Sequence, residues 1–389
     1  MEELVAAPVV FEKTSADNGR CIGIARLNAE KALNALSLEM VELLAERLGA
    51  WADDPSIAMV MLEAAGDKAF CAGADLQRLY RSMREHHASI SRDDPRANRY
   101  AFEFFSREYR LDYLIHTYPK PVLCWGHGIV MGGGLGLMAG ASHRVVTERS
   151  RVAMPEVSIG LYPDVGGTWL LGRMPGKLGL FLALTAAPLN AADALFAGVA
   201  DHALRHADKE QVHGMLKSVP WSESRRDNDR MLTHLLRGFE FLPEPGPARR
   251  HLDRVNAVCS LGALAEIVSS ITGALHEDPW LAQAAATLAA GSPSSAGLAY
   301  ELQRRMRHAS LAEVFRVELV ASMHCAARPD LAEGIRALII DKDRKPRWSP
   351  ASHNALTQQW IDGFFASPWE RMAHPLADLG DEDGRPNEP

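Results

Sequence analysis

The sequence predicts an α/β fold that passes into a helical carboxy-terminal region. Strand-like and helix-like periods alternate from Val9 to about Thr185, and glycine-rich turns lead from strands into helices, whereas helix formers dominate beyond Ala207. Residues 9–12 and 21–27 flank Asn18-Gly19 and read as a hairpin, because an Asn-Gly pair favours the positive φ angles of a tight turn. A helix is expected over 37–51: Val41, Leu44, Leu48 and Trp51 fall on one face, and Ser37 is placed to cap it. Residues 58–62 read as a short buried strand. The span 76–113 is helical in period but broken by a charged surface loop at 92–99. Residues 122–125 form the next strand, after which Gly132 to Gly134 open a helix through about Gly140. A strand at 143–147 and a helix at 177–185 complete the alternation. Further on, LPEPGP at 242–247 reads as a linker and Ser292-Pro293 as a cap and first helical position. Ser310-Leu-Ala-Glu313 is a capping box ahead of Phe315, Leu319 and Met323, and 341–347 is a charged turn.

A chain of 389 residues suggests about two domains. Its net charge of -7 leaves no electrostatic footprint for nucleic acid. Five cysteines, scattered singly and without CxxC spacing, point to a reducing compartment and to no structural zinc. The start, MEELVAAPVVFEK, lacks both the layout of a secretion signal and an Arg-rich face, so the expected location is the cytosol. The longest weakly polar run, 129–141, is too short and too rich in glycine to span a bilayer.

Several motifs are discounted. Gly134-Leu-Gly136-Leu-Met-Ala139 matches a dinucleotide fingerprint, but no acid-ended strand follows at the right distance; Gly172 to Lys177 is one residue short of a Walker loop and lacks its Ser or Thr. No HExxH or GxSxG occurs. His86-His87 reads as a solvated pair in a charged stretch, and Cys71 as a buried small side chain.

One constellation remains. The stretch MPEVSIGLYPDVGG, residues 154–167, holds two carboxylates, Glu156 and Asp164, in otherwise uncharged surroundings. Isolated buried carboxylates cost several kcal/mol, so such a pair points to chemistry. Two small-residue turns, around Ala74 and at Gly132 to Gly134, can each aim a backbone N–H at one point, as an oxyanion hole requires.

Together these segments resemble the enoyl-CoA hydratase/isomerase family, the crotonases. The resemblance runs through Lys31-Ala-Leu-Asn-Ala-Leu36, Ala69-Phe-Cys-Ala-Gly-Ala-Asp-Leu76, Gly126-His-Gly128, Met131-Gly-Gly-Gly134, Met154-Pro-Glu156 and Glu333-Gly-Ile-Arg-Ala-Leu338, nearly the whole chain. Hydratases of the family carry a second glutamate where Gly136 stands. Glu156, Asp164 in PDVGG, Glu108 in Phe104-Phe-Ser-Arg-Glu108-Tyr and the ending IDKDRKPRW are instead similar to the 3-hydroxyisobutyryl-CoA hydrolase branch. Ala74 and Ala29-Glu30 depart from that branch's usual residues.

The resemblance implies a crotonase-like spiral of ββα repeats as a CoA-binding core over 1–206, followed by a helical region over 207–379, and the composition of the last residues, 380–389, reads as a disordered tail. The resemblance implies that Glu156 and Asp164 are catalytic and that the N–H groups of Ala74 and Gly133 hold the thioester oxygen. Glu108 joins Gly133, Glu156 and Asp164 around the acyl group, while Lys31, Ala32, Leu33, Ala72, Asp75 and Leu76 line the CoA path. The implied reaction is hydrolysis of 3-hydroxyisobutyryl-CoA, as in valine breakdown, with acyl-CoA as partner, without metal or resident cofactor, and with a homo-oligomer left open. Enoyl-CoA hydration or isomerisation, and a noncatalytic acyl-CoA binder, are the alternatives.

Overall fold

The computed structural model describes residues 7–260, 262–274 and 278–380. The expected tail therefore lies, but for Gly380, outside the described residues, as do the first six residues. Strands β1 (Val9–Ser15) and β2 (Cys21–Leu27) pair antiparallel from Val9↔Leu27 to Ser15↔Cys21, turning at Gly19 with φ +82°. The remaining strands are β3 (Ile57–Ala64), β4 (Ala69–Cys71), β5 (Val122–Gly126), β6 (Ile129–Met131), β7 (His143–Val146), β8 (Arg151–Ala153) and β9 (His202–Ala203).

Two sheets result. One has the order β1-β2-β3-β5-β7-β9, parallel beyond the hairpin, and the other is β4-β6-β8, all parallel. Beyond the hairpin, each of the pairs β3-β4, β5-β6 and β7-β8 sends its first member to the large sheet and its second to the small one. A helix follows, and the repetition is the ββα spiral. Helices α1 (Leu38–Asp53), α2 (Leu76–His87), α3 (Arg99–His116), α4 (Gly133–Ala139), α5 (Gly167–Leu171), α6 (Leu178–Thr185) and α7 (Ala191–Phe196) belong to this part. Ser37 caps α1 by accepting from the Met40 N–H, and Val41, Leu44, Leu48 and Trp51 are buried on the expected face. Burial stabilises by about 1.5–3 kcal/mol per large side chain, so packing outweighs the cap's ~1 kcal/mol.

The carboxy-terminal region is helical: α8 (Lys209–Lys217), α9 (Arg225–Arg237), α10 (Pro247–Arg250), α11 (Leu252–Cys259), α12 (Leu264–Ala274) and α13 (Pro279–Ala290) come first. They are followed by α14 (Pro293–Arg305), α15 (Leu311–Ala327), α16 (Pro329–Ile335) and α17 (Gln358–Asp362). Side chains of β3 alternate between two cores, which is why that strand is buried on both faces. Val60 and Leu62 join the main core, whereas Met59 and Met61 meet Val212 and Leu216 of α8 and Leu232 and Leu236 of α9. The main core runs without a break from Val9 to Leu379 and includes Phe315, Leu319 and Met323 of α15. The capping box forms as expected, with Ser310 accepting from Glu313 N–H and Glu313 accepting from Ser310 N–H. Among the described residues no helix is long and apolar enough to cross a membrane.

His86 departs from the sequence reading. It is buried, with Nε2 3.1 Å from the carbonyls of Ser91 and Asp94, and His87 Nε2 lies 2.9 Å from the Ala326 carbonyl. The rings fasten α2 to the following loop and to the end of α15, long-range partners that a charged local sequence does not display.

Candidate active site

The site is built around the start of α4. Gly132 has φ +51°, a conformation that favours glycine, and a Cβ placed on it would stand 3.0 Å from Glu156 Oε1 and 3.6 Å from the Cα of Gly73. The turn before α4, the turn before α2 and the Glu156 carboxyl therefore meet. On the next residue, Gly133, a Cβ would fall on Glu108 Oε1, so the absence of a side chain is what lets the α3 carboxyl lie against this backbone. Among the described residues the N–H groups of Ala74 and Gly133 find no acceptor. Gly134, part of the dinucleotide-like motif, packs α4 directly on the Cys71 carbonyl.

Asp164 lies on a turn whose next two residues, Val165 and Gly166, have φ +52° and +78°. Glu318 of α15 fixes this turn, accepting from Gly166 N–H at 2.8 Å and Thr168 N–H at 3.0 Å. Tyr109 of α3 donates to Asp164 Oδ2 at 2.7 Å. Its oxygen is also 2.7 Å from Ser322 Oγ of α15, which lies 2.9 Å from the Tyr162 hydroxyl.

Five carboxyls, Glu108, Asp112, Glu156, Asp164 and Glu318, are thus buried, none more than 5% exposed. Burial raises all of them. Glu108, Asp112 and Glu156 are pushed well above their ordinary values by burial and then by the neighbouring acids. Glu318 rises to about 8, chiefly through burial, against the pull of its Thr168 and Gly166 bonds. Asp164 rises only to about 6, because the Tyr109 hydroxyl offsets part of the burial. Burial therefore favours the protonated form of all five, and least so in Asp164, where the Tyr109 hydroxyl donates to the carboxylate. Among the described residues Glu108 Oε1, Glu156 Oε2 and both oxygens of Asp112 have no hydrogen-bond partner. Unspent polar atoms at this depth are costly, and a polar ligand would satisfy them.

Residues expected along the CoA path are adjacent. Lys31 and Ala32 are exposed on a short 3-10 turn, Leu33 O accepts from Ala72 N–H at 3.1 Å, and Leu36 pairs with Gly73 and Asp75. Asp75 also caps α2, accepting from Gln77 and Arg78 N–H. Beside it opens a recess of about 490 Å³ lined by Arg78, Arg81 and Tyr100.

Sequence reasoning passed over Asp112, Glu318, Tyr109, Tyr162 and Ser322. A signal existed for two of them: Asp112 follows Glu108 by four residues on a helix rich in aromatic and apolar side chains, and Glu318 stands alone among Val314, Phe315, Leu319 and Val320. Gly136 leaves room for Asp112: a Cβ there would be 3.0 Å from its carboxyl and 2.8 Å from Val165 Cβ.

The model of the enoyl-CoA hydratase/isomerase family matches residues 22–365. The chain is 33% identical over 347 residues to the mitochondrial 3-hydroxyisobutyryl-CoA hydrolase of Xenopus tropicalis, covering 89% of this chain and 87% of that one. With the human mitochondrial enzyme of the same name it is 34% identical over 381 residues, covering 93% and 89%. Two solved structures superpose with a TM-score of 0.79: an enoyl-CoA hydratase from Rhodobacter sphaeroides, 31% identical over 93% of this chain and 98% of that one, and a carnitinyl-CoA dehydratase from Mycobacterium thermoresistibile, 34% identical over 92% and 96%. The curated relatives are mitochondrial, which overturns the cytosolic expectation. That expectation leaned on unpaired cysteines, and all five are indeed free, but free thiols report a reducing compartment without saying which one.

Proposed function

Because the chain belongs to the enoyl-CoA hydratase/isomerase family, we propose that it is an acyl-CoA thioester hydrolase that splits 3-hydroxyisobutyryl-CoA into 3-hydroxyisobutyrate and CoA. The observation that supports it most directly is that the turns carrying the two unspent N–H groups, those of Ala74 and Gly133, meet at the Glu156 carboxyl. In this reading the N–H groups of Ala74 and Gly133 are the oxyanion hole. A thioester oxygen gains negative charge on attack, and preorganised donors stabilise it by about 3 kcal/mol each. No resident metal is called on for that polarisation.

Glu156 and Asp164 share the acid-base work. In this reading Glu156, the more strongly raised of the two, starts with the proton and Asp164 with the charge. Passing that proton to Asp164 frees Glu156 as an anion beside the carbonyl, where it attacks the carbon or takes a proton from an attacking water. The C–O bond forms, the C–S bond breaks, and the departing thiolate takes the proton from Asp164; on the first route water then hydrolyses the Glu156 anhydride, its hydroxyl going to the acyl carbon and its proton to Glu156. Glu108 closes the acyl pocket, its bare Oε1 available to the 3-hydroxyl. CoA runs along Lys31, Ala32, Leu33, Ala72, Asp75 and Leu76, and Arg78 and Arg81 face its phosphates.

Hydration of an enoyl-CoA is the competing reading, in line with the activities named for the two solved structures. It needs a second acid at position 136, which is glycine here. The test is thiol release from 3-hydroxyisobutyryl-CoA, 3-hydroxypropionyl-CoA and crotonyl-CoA by wild type and Glu156→Gln. Release from the hydroxyacyl esters, lost in the variant, supports hydrolysis. Loss of the crotonyl-CoA enone absorbance without thiol release supports hydration instead.

A further inference from the structure

We propose that Tyr109, Ser322 and Tyr162 form a reversible hydroxyl chain that lets Asp164 lose and regain its proton in the buried interior. The inference rests on the reading of Asp164 as a partner in hydrolysis. Its basis is the run of contacts from Asp164 Oδ2 to the Tyr109 hydroxyl at 2.7 Å, on to Ser322 Oγ at 2.7 Å, to the Tyr162 hydroxyl at 2.9 Å, and from there to the Glu318 carbonyl at 2.6 Å. Both tyrosines and Ser322 are fully buried.

The run has two complete arrangements. With Asp164 ionised, Tyr109 donates to the carboxylate, Ser322 donates to Tyr109, and Tyr162 donates to Ser322 or to the Glu318 carbonyl. With Asp164 protonated, every hydroxyl turns round: Asp164 donates to Tyr109, Tyr109 to Ser322, Ser322 to Tyr162, and Tyr162 to the Glu318 carbonyl. No hydroxyl is left without an acceptor in either arrangement. A buried donor left without an acceptor would disfavour one charge state, so a chain with a backbone carbonyl at its far end removes that bias. The other acids of the site have no such terminal acceptor: Asp112 has no partner among the described residues, and Glu318 is held by two fixed N–H donors.

The three hydroxyls act through Asp164 and are positioning residues. Ser322 and the Glu318 carbonyl both lie on α15, which makes the helical region part of the acid-base device. The groups that face Asp164 and bear on its titration are Glu108, Tyr109 and Asp112 from α3, Glu156 and Tyr162 from the segment before α5, and Glu318 and Cys325 from α15.

The test is the pH profile of kcat/KM for thiol release from 3-hydroxyisobutyryl-CoA, measured for wild type, Tyr109→Phe, Ser322→Ala and Asp164→Asn, with thermal melting of each to confirm folding. The wild-type acid limb is expected near the Asp164 value of about 6. Tyr109→Phe removes the donor to the carboxylate and moves the limb up by about one to two pH units. Ser322→Ala keeps that donor but takes away the acceptor the reversed chain needs, and moves the limb down. A merely structural role lowers kcat in both variants and displaces neither limb. An unmoved limb in Tyr109→Phe, or upward movement in both variants, overturns the chain while loss of hydrolysis in Asp164→Asn leaves the functional reading standing. Full hydrolysis by Asp164→Asn overturns both. If Tyr109→Phe does not fold, the direction of the Ser322→Ala displacement decides.

Discussion

Glu318→Gln separates two opposing effects of a single buried acid. The side chain accepts two backbone N–H bonds from the turn that carries Asp164, and burial holds its carboxyl near 8 instead of 4.5. An acid whose value is raised on folding binds more protons folded than unfolded between those two limits, so stability falls as pH rises from about 4.5 to about 8 and is level beyond. Each pH unit of that gap is worth about 1.4 kcal/mol, which puts the full loss on the order of 5 kcal/mol. Glutamine does not titrate and escapes this loss. Its amide nitrogen, however, meets one N–H donor head-on, at a cost of about 1–3 kcal/mol that does not depend on pH. Urea unfolding at pH 5 and pH 8 distinguishes the effects: the variant is expected to be less stable than wild type at pH 5 and to equal or exceed it at pH 8. A deficit that stays constant or widens toward pH 8 would show that Glu318 is not held protonated and would refute the reasoning.

Three further substitutions probe the surroundings. Gly133→Ala puts a methyl where Glu108 Oε1 now sits and 3.2 Å from Leu36 Cδ1; thiol release is expected to fall by about 10²-fold, and wild-type turnover would show that the Glu108 contact is irrelevant. Gly136→Ala brings a methyl within 2.8 Å of Val165 Cβ and 3.0 Å of the Asp112 carboxyl, an overpacking expected to cost about 1–3 kcal/mol in urea unfolding, with an unchanged midpoint counting against it. Ser310→Ala removes the reciprocal cap of α15 and is expected to destabilise by about 1 kcal/mol in the same assay; no measurable change would mean that packing alone fixes the start of that helix.

The legible parts of the sequence were those governed by near neighbours. The Ser37 cap and the Ser310 to Glu313 capping box follow from residues within four positions of one another and formed as expected, and the hairpin at Asn18-Gly19 formed through the longer loop 16–20, with positive φ at Gly19 but not at Asn18. Glu156 and Asp164 stood out because charge in an apolar stretch is rare within a short window. What stayed hidden lay across long separations. Asp164 meets Tyr109 over 55 residues and the Glu318 that fixes its turn over about 150, and no local period encodes such a meeting. His86 shows the converse error, since a charged neighbourhood in sequence became a buried one once α2 packed against its own loop.

The placement of Glu318 and Ser322 bears on why the helical region accompanies this core. Five buried carboxyls in one interior are a liability: a buried polar group without a partner costs about 1–3 kcal/mol, and Glu108, Asp112 and Glu156 all carry such atoms. Packing has to offset that cost near the site itself. On α15, Phe315, Leu319 and Met323 are fully buried in the main core, each contributing about 1.5–3 kcal/mol, on the helix that also supplies Glu318 and Ser322. The same helix thus stabilises the fold that tolerates the acids and fixes the turn that aims Asp164. Shortening α15 would remove both at once, so the helical region is a wall of the site and not a cover laid over a finished one.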